Sequence, residues 1–204
     1  MPKETFTNLA QDKKERVLDA ALTEFAEHTF TGATVSRIVE RADIPKGSFY
    51  QYFESKKDLY HYIVNFAGEE KFKFMKEFLQ EKESSDVFDR LRELYSAGIK
   101  FAEKNPRLLA IGQNLIKEDE SLKQEIFDQT IPQAEDFLED LLQEGVAAGD
   151  IDPDTDLSVV ATIITSYNMS LYDRLLKFPG RGEYDELLEN IDKVIKILRE
   201  GIKA

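Results

Sequence analysis

The chain has 204 residues, of which 42% are hydrophobic and 33% charged, and its formal net charge is −13. Its 14 Phe and 8 Tyr residues need burial, which excludes a disordered chain and predicts a globular core. The absence of Cys excludes disulfides and thiolate catalysis, and two isolated histidines, His28 and His61, leave little for a zinc site. We therefore expect no cofactor and no metal.

No leader segment is visible, and the longest uncharged run, residues 157–172, is shorter than the roughly 20 apolar residues that cross a bilayer. We expect a cytoplasmic protein without a membrane segment. Residues 1–60 contain nine Lys and Arg against ten Asp and Glu, whereas residues 61–204 contain 18 against 30. Because salt screens charges over about 10 Å, only the N-terminal end is suited to approach a polyanion.

Apolar residues recur with helical spacing along the chain, and no run alternates with the period of a strand. A capping box formed by Asp12 and Glu15 predicts a first helix over residues 12–28. Thr34 is a suitable cap for a short second helix. After a turn at residues 42–44, Pro45 fits the first turn of a third helix that ends at Tyr52.

A second capping box, Ser55 to Asp58, begins a long fourth helix. Proline and glycine then separate further helices, with Pro132 predicted to kink one of them and Gly149 to end it. These helices are predicted at about 85–104, 106–116, 121–148, 156–177 and 184–202. The predicted fold class is all-α, with about nine helices: an N-terminal helix-turn-helix domain, residues 1–54, and a C-terminal helical bundle, residues 55–204, joined by the long fourth helix.

Two short helices joined by a tight turn form the helix-turn-helix plan, in which the second helix lies in the major groove of DNA. Lys46 can donate to phosphate or to guanine, and Ser48 and Gln51 can reach base edges. Gly47 costs about 1 kcal/mol of helix stability relative to Ala, which indicates either tight helix packing or close approach to a phosphate. Phe49 and Phe53 are expected in the core.

The ordered string TVSRIVERADIPKGSFYQYFESKKDL, from Thr34 to Leu59, resembles the signature of the TetR family of transcriptional regulators. Spacing and residue types agree over some 25 positions, and the likeness extends over about residues 12–62. Asp43 stands where the family usually has Gly, but Asp tolerates a left-handed backbone. Pro45 removes one backbone donor at the start of the third helix. The residues that match the family's DNA-contacting positions are Thr34, Lys46, Gly47, Ser48, Tyr50, Gln51, Tyr52 and Lys56.

The resemblance implies a homodimer that binds a palindromic DNA operator, most often as a repressor, and that a small-molecule effector releases. It also implies an interface built by the last two helices. The residue pattern agrees, because both helices are apolar over a wide face that needs cover. The predicted interface residues are Val160, Ile164, Leu171, Leu187, Ile191, Val194 and Leu198.

Neutral polar and aromatic side chains on otherwise apolar helices are candidates for an effector site. They are Tyr95, Gln113, Asn114, Tyr167, Asn168 and Tyr172. The same side chains also occur in ordinary cores, where each finds a backbone partner. The negative charge of residues 61–204 favours a neutral or cationic effector over an acyl-CoA-like anion.

Two other classes of function were weighed against a DNA-binding regulator. An enzyme is disfavoured because the chain has no Cys nucleophile, no phosphate-binding glycine loop, no His-Glu-x-x-His and no Gly-x-Ser-x-Gly. We therefore expect no catalytic residues. The alternative is a helical protein-interaction module that keeps this fold without specific DNA binding, which the weakly charged first 60 residues allow.

Overall fold

The structure is a computed structural model that describes the backbone of residues 2–81, 86–177 and 181–202, and the side chains of residues 2–81, 86–169 and 186–201. Every regular element in these ranges is a helix, which confirms the all-α fold class. The ten helices are α1 (Glu4–Thr7), α2 (Gln11–Glu27), α3 (Val35–Arg41), α4 (Lys46–Tyr52), α5 (Lys56–Gln80), α6 (Val87–Lys104), α7 (Pro106–Ile116), α8 (Glu120–Ala148), α9 (Leu157–Lys177) and α10 (Arg181–Ile202).

The chain divides into two compact units that differ from the predicted division after residue 54. The first unit joins Met1–Glu70 with Lys104–Phe127, and the second joins Lys71–Glu103 with Asp128–Ala204. Helix α7 belongs to the first unit, where it packs along α2. Residue numbering alone therefore does not separate the helix-turn-helix unit from the rest of the chain.

The core of the first unit is formed mostly by aromatic and branched side chains of α1 to α5, with α7 and the start of α8. Phe25, Phe49, Phe53 and Ile63 are all 0% exposed. Phe49 and Phe53, four residues apart, lie with ring centroids 5.8 Å apart. Their predicted place in the core is confirmed, and α4 is thereby held with one face inward.

The N-terminal caps differ in part from the prediction. Helix α2 begins at Gln11 with Ala10 as its cap, and neither Asp12 nor Glu15 caps it; instead Gln11 Nε2 donates to Glu15 across one turn, at 2.8 Å. The predicted cap at Thr34 is confirmed, because its Oγ1 accepts from Arg37 N. At α5, Ser55 Oγ accepts from Asp58 N at 3.1 Å, as its capping box predicts.

The turn between α3 and α4 depends on one left-handed residue. Asp43 has φ 51°, so the aspartate does take the conformation for which glycine is the usual choice. Pro45 lies just before α4, as its N-cap with φ −60° and ψ 143°, and not within its first turn as predicted. Helix α4 therefore begins at Lys46.

The core of the second unit is formed by α6, α8, α9, α10 and the end of α5. Helices α6 and α8 approach closely where a Cβ added to Gly145 would lie 2.7 Å from Val87 Cγ1, so only glycine fits there. Pro132 lies inside α8, and Gly149, with φ 83°, follows the helix end as predicted. In the part of the chain that is described, no helix has the length and apolar content that crossing a membrane requires.

Four of the predicted interface residues lie in this core instead of on the surface. Val160, Ile164, Leu187 and Ile191 are 6%, 2%, 8% and 1% exposed. The chain itself covers most of the surface of these four side chains. Val194 and Leu198 are half-buried, and the side chain of Leu171 lies outside the described residues.

Candidate nucleic-acid interface

Helix α4 has one buried face and one exposed face. Phe49 and Tyr52 point into the core, where they are 0% and 4% exposed. Lys46, Gly47, Tyr50 and Gln51 are exposed, and Ser48 is half-buried. The structure thus brings most of the predicted DNA-contacting side chains of this helix together on one surface.

Lys46 differs from the other nearby cations, because each of those has a partner within the protein. Residues 34–57 contain five cations, and all of their side chains are described. Arg37 and Arg41 form ion pairs with Glu24 and Glu27, each at 2.5 Å. Two more of these cations also have partners within the protein: Lys57 binds Glu125, and Lys56 binds backbone carbonyls. Among these five, Lys46 is left without an intramolecular partner, so its ammonium group is the one available to an external anion.

Gly47 has open space around it. A Cβ placed on this residue would find no other atom within 4 Å. The structure therefore offers no intramolecular packing reason for a glycine in α4. Of the two explanations that the sequence allows, close approach of the backbone to a bound molecule is the one left.

Tyr52 and Lys56 are held by the protein itself. The ring of Tyr52 lies 6.1 Å from that of Phe6, and Lys13 Nζ is 5.7 Å from its centroid. Lys56 Nζ donates to the carbonyls of Phe30 and Ala33 at 2.5 and 2.8 Å. Burial lowers the pKa of Lys56, while nearby Glu118 and Glu24 act in the opposite direction. These contacts hold the ring of Tyr52 and the ammonium group of Lys56 against the protein and stabilise the fold around α4.

A buried carboxylate that the sequence did not reveal joins α2 to α3. Glu24 is 0% exposed and accepts from Thr34 N at 2.7 Å and from Arg37 Nε at 2.9 Å. Arg37 also donates to the carbonyl of Gly32 at 2.6 Å. From the sequence Arg37 counts as a surface cation, whereas the structure uses it to fix the start of α3. A charged residue on the apolar face of α2 was the available signal.

The same glutamate belongs to a group whose ligand atoms could reach one metal ion. Atoms of Glu24, Glu27 and His28 lie within 4.8 Å of one another. Both carboxylates are bound to arginine, so a cation would have to displace two ion pairs. The group is therefore better explained as an anchor for α3.

The predicted effector residues lie in different units. Gln113 and Asn114 belong to the first unit, where Asn114 Nδ2 donates to the carbonyls of Phe25 and Ala26 at 3.1 and 3.0 Å. Asn114 thus satisfies the C-terminal end of α2. Tyr95, Tyr167 and Asn168 belong to the second unit, and the side chain of Tyr172 lies outside the described residues.

In the second unit, polar groups of α6 and α9 meet in an apolar surrounding. Burial raises the pKa of Tyr95, Tyr167 raises it further, and a hydrogen bond with Asn168 lowers it in part. Asn168 Oδ1 and Thr165 Oγ1 are both buried without a hydrogen-bond partner. Because Thr165 and Asn168 are three residues apart on α9, they lie on the same side of that helix.

Comparison with known proteins matches two segments of the chain to TetR-family models, in agreement with the resemblance seen in the sequence. Residues 17–63 match the family model described as bacterial regulatory proteins, tetR family, and residues 85–203 match the tetracyclin repressor-like C-terminal domain. A crystal structure of a TetR family transcriptional regulator from Chloroflexus aurantiacus is 32% identical, with a TM-score of 0.60, and the match covers 100% of this chain and 99% of that chain.

Two further relatives are more distant. The probable acrEF/envCD operon repressor of Escherichia coli K12 is 24% identical over 193 residues, which cover 90% of this chain and 86% of that protein. FadR of Bacillus subtilis, solved in complex with stearoyl-CoA, has a TM-score of 0.71 at 20% identity and matches 89% of this chain and 96% of its own. With both family models matched along the chain, this protein belongs to the TetR family of DNA-binding transcriptional regulators.

Proposed function

We propose that the chain is a repressor that binds a palindromic DNA operator as a homodimer and dissociates when a small effector binds. The observation that carries the proposal is the unpaired ammonium group of Lys46, on the exposed face of α4 beside Gly47, Tyr50 and Gln51. The similarity to an operon repressor supports repression as the regulatory sense. The weak net charge of the first 60 residues is no obstacle, because Glu24 and Glu27 are paired with Arg37 and Arg41 within the protein, whereas Lys46 is exposed and unpaired.

Within this proposal the DNA-contacting residues have separate roles. Lys46 and Gln51 donate to base edges or phosphates of the DNA. The hydroxyl of Tyr50 donates to a DNA phosphate, and the side chain of Tyr50 is 49% exposed. Ser48 and Thr34 lie at the margin, each half-buried. Tyr52 and Lys56 support the surface from within.

The homodimer uses the face of α9 that the chain leaves uncovered. Val159 and Ile163 are 53% and 52% exposed, and Met169, further along the helix, is 38% exposed. Val159 and Ile163 are four residues apart and form one apolar stripe. A second copy of the chain, related by a two-fold axis, covers such a stripe with its own and presents two α4 helices to half-sites about 34 Å apart.

The proposed effector site lies beside Tyr95 of α6 and Asn168 of α9, in the second unit. Tyr95 and Asn168 form a hydrogen bond there, and two buried oxygen atoms, Thr165 Oγ1 and Asn168 Oδ1, lack partners. A neutral, mainly apolar molecule that carries hydroxyl or amide donors satisfies both oxygen atoms. An anion such as the stearoyl-CoA bound to FadR would meet the excess of acidic over basic residues in this part of the chain.

The experiment that tests DNA binding begins with selection of duplexes from a random library by the full-length protein, together with the DNA upstream of its own gene. Fluorescence anisotropy then gives the affinity for the selected duplex and for unrelated DNA at several salt concentrations. A DNA-binding regulator shows tight binding that competitor DNA does not remove, with affinity falling as salt rises. A protein-interaction module binds every duplex weakly and equally.

Lys46→Ala is the matching variant, and Lys57→Ala is its control because it removes the same charge from an exposed residue already paired with Glu125. We expect Lys46→Ala to weaken binding of the selected duplex about tenfold and to reduce the salt dependence by about one ion for each chain of the homodimer. Its melting temperature stays that of the parent, since Lys46 has no partner to lose. Equal affinities for parent and Lys46→Ala contradict the assignment of α4 to the groove.

A further inference from the structure

The C-terminal end of α4 has carbonyl groups that the helix cannot satisfy by itself. In any helix the last four carbonyls lack intrahelical donors. In α4, the first of these four, Phe49 O, accepts a hydrogen bond from Phe53 N at 2.8 Å. The carbonyls of Tyr50, Gln51 and Tyr52 remain. They must find donors elsewhere in the protein or in water.

Residues 2–9, here called the N-terminal arm, supply all three donors. Lys3 Nζ donates to Tyr50 O at 3.1 Å, and Lys3 N donates to Tyr52 O at 2.9 Å. Thr5 Oγ1 donates to Gln51 O. The positive charge of Lys3 also lies at the end of α4 where the helix dipole favours a cation.

Phe6 fixes the arm in place. It is 1% exposed, and its ring centroid lies 4.8 Å from that of Phe53 and 5.6 Å from that of Tyr62. These contacts join the arm both to the residue that follows α4 and to α5. Removal of the ring would open a cavity in the same core that holds the inner face of α4.

A helix of seven residues is too short to be stable alone, so its position depends on such contacts. The carbonyls that the arm binds belong to Tyr50 and Gln51, whose side chains are exposed on the proposed DNA-reading surface, and to Tyr52. The arm itself precedes residues 17–63, the part that matches the DNA-binding family model.

We propose that the N-terminal arm is a positioning clamp for operator reading: Lys3, Thr5 and Phe6 hold the end of α4 so that Tyr50 and Gln51 meet the bases in one fixed geometry. This inference rests on the proposed DNA-binding function and adds the residues that set its specificity. An ordered reading helix forms its contacts without first losing conformational freedom, which favours the correct duplex over others.

Thr5→Ala tests the clamp without a change of charge, and Thr7→Ala is its matched control. Thr7 is an exposed threonine of the same arm whose Oγ1 bonds only within the arm, to Glu4 O at 2.9 Å. The probes are the duplex selected by the parent protein and a scrambled duplex of equal length. We expect Thr5→Ala to lower the ratio of the two affinities about fivefold, and Thr7→Ala to leave it unchanged.

Lys3→Met and Lys3→Arg form a second pair, in which arginine restores the donor and the ratio while methionine does not. Amide hydrogen exchange of the free proteins gives a readout independent of DNA: the amides of α4 exchange faster in Thr5→Ala and Lys3→Met, while the melting temperature falls by no more than a few degrees. A merely structural role would move the melting temperature and leave the ratio of affinities alone.

The outcomes separate the clamp from the proposed function. If the parent selects a duplex and both Thr5→Ala and Lys3→Met keep its affinity ratio, the clamp is refuted while DNA binding stands. If exchange in α4 is also unaltered, the arm does not hold the helix at all. If the parent selects no duplex, the proposed function fails and the positioning role fails with it.

Discussion

Gly47 is the residue where fold stability and DNA binding make opposite demands. Alanine fits there without any contact within 4 Å and removes the conformational freedom of glycine. We expect Gly47→Ala to raise the free energy of unfolding by up to about 1 kcal/mol. The same methyl group stands between the backbone and a phosphate, so affinity for the selected duplex falls. Thermal melting and fluorescence anisotropy measure the two effects on one sample.

Gly68→Ala is a suitable control for Gly47→Ala, because it adds the same methyl group to a glycine of α5 that also has open space around it, away from α4. A Gly47→Ala variant that is more stable and binds the duplex as tightly as the parent would mean that the α4 backbone stays away from DNA there.

For single residues, the sequence predicted which side chains are buried better than it predicted which partners they bind. The spacing of Phe49 and Phe53 is sufficient to place them in the core, since helical periodicity is a local property. Lys56 matches a DNA-contacting position, yet its ammonium group binds the carbonyls of Phe30 and Ala33, more than 20 positions earlier. No local pattern specifies which of several anions or carbonyls a flexible lysine will reach.

At the scale of helices, the stability that Glu24 contributes by linking α2 to α3 depends on pH in a predictable way. Burial raises the pKa of Glu24, but hydrogen bonds from Arg37 and Thr34 N outweigh it, so the folded-state pKa lies below the ordinary value. The folded state therefore binds this proton less readily than the unfolded chain. The resulting stability is complete above the unfolded pKa of about 4 and is lost as pH falls through the folded-state pKa.

Glu24→Gln removes this charge but keeps an acceptor. We expect the variant to lose about 1–3 kcal/mol of unfolding free energy at neutral pH and to show a flatter decline in acid. Denaturant unfolding between about pH 3 and pH 7 measures both. Glu27→Gln is the control, because Glu27 pairs with Arg41 at the surface. Equal effects of the two variants, or a steep acid decline in Glu24→Gln, contradict the buried role of Glu24.

Helix positions were largely predictable because proline, glycine and capping residues interrupt the apolar periodicity at the correct places. The exception is α1, whose four residues are too few to show a period. Its contacts to α4 join residues 46 and 47 positions apart, and nothing near Lys3 or Thr5 in the sequence indicates them. An aromatic residue in a mostly polar start, Phe6, was the visible sign.

At the scale of the whole molecule, the sequence indicated that α9 is apolar around much of its surface. It did not indicate which side of α9 is covered by the rest of the chain. The structure assigns Val160 and Ile164 to the core and leaves Val159 and Ile163 exposed. Adjacent residues point in different directions on a helix, so a shift of one position moves the predicted interface from the surface to the interior. Only tertiary packing decides between the two faces.

The exposed stripe of α9 therefore makes a test of the homodimer possible without damage to the fold. We expect the parent to have twice the 23.5 kDa chain mass in multi-angle light scattering, and Val159→Asp combined with Ile163→Asp to have the mass of one chain. Both positions are half exposed in the single chain, so aspartate costs the monomer little, whereas two charges buried against a partner without counterions are strongly unfavourable.

Operator binding should follow the oligomeric state, because a single α4 reads one half-site and the second half-site adds its affinity only when both helices are joined. The monomeric variant is then expected to bind an isolated half-site as the parent does but to lose tight binding of the palindrome. Gln143→Asp, an exposed substitution on α8, should change neither mass nor affinity. A double variant that stays dimeric shows that another surface joins the chains, whereas a monomer that keeps full palindrome affinity separates DNA binding from dimer formation.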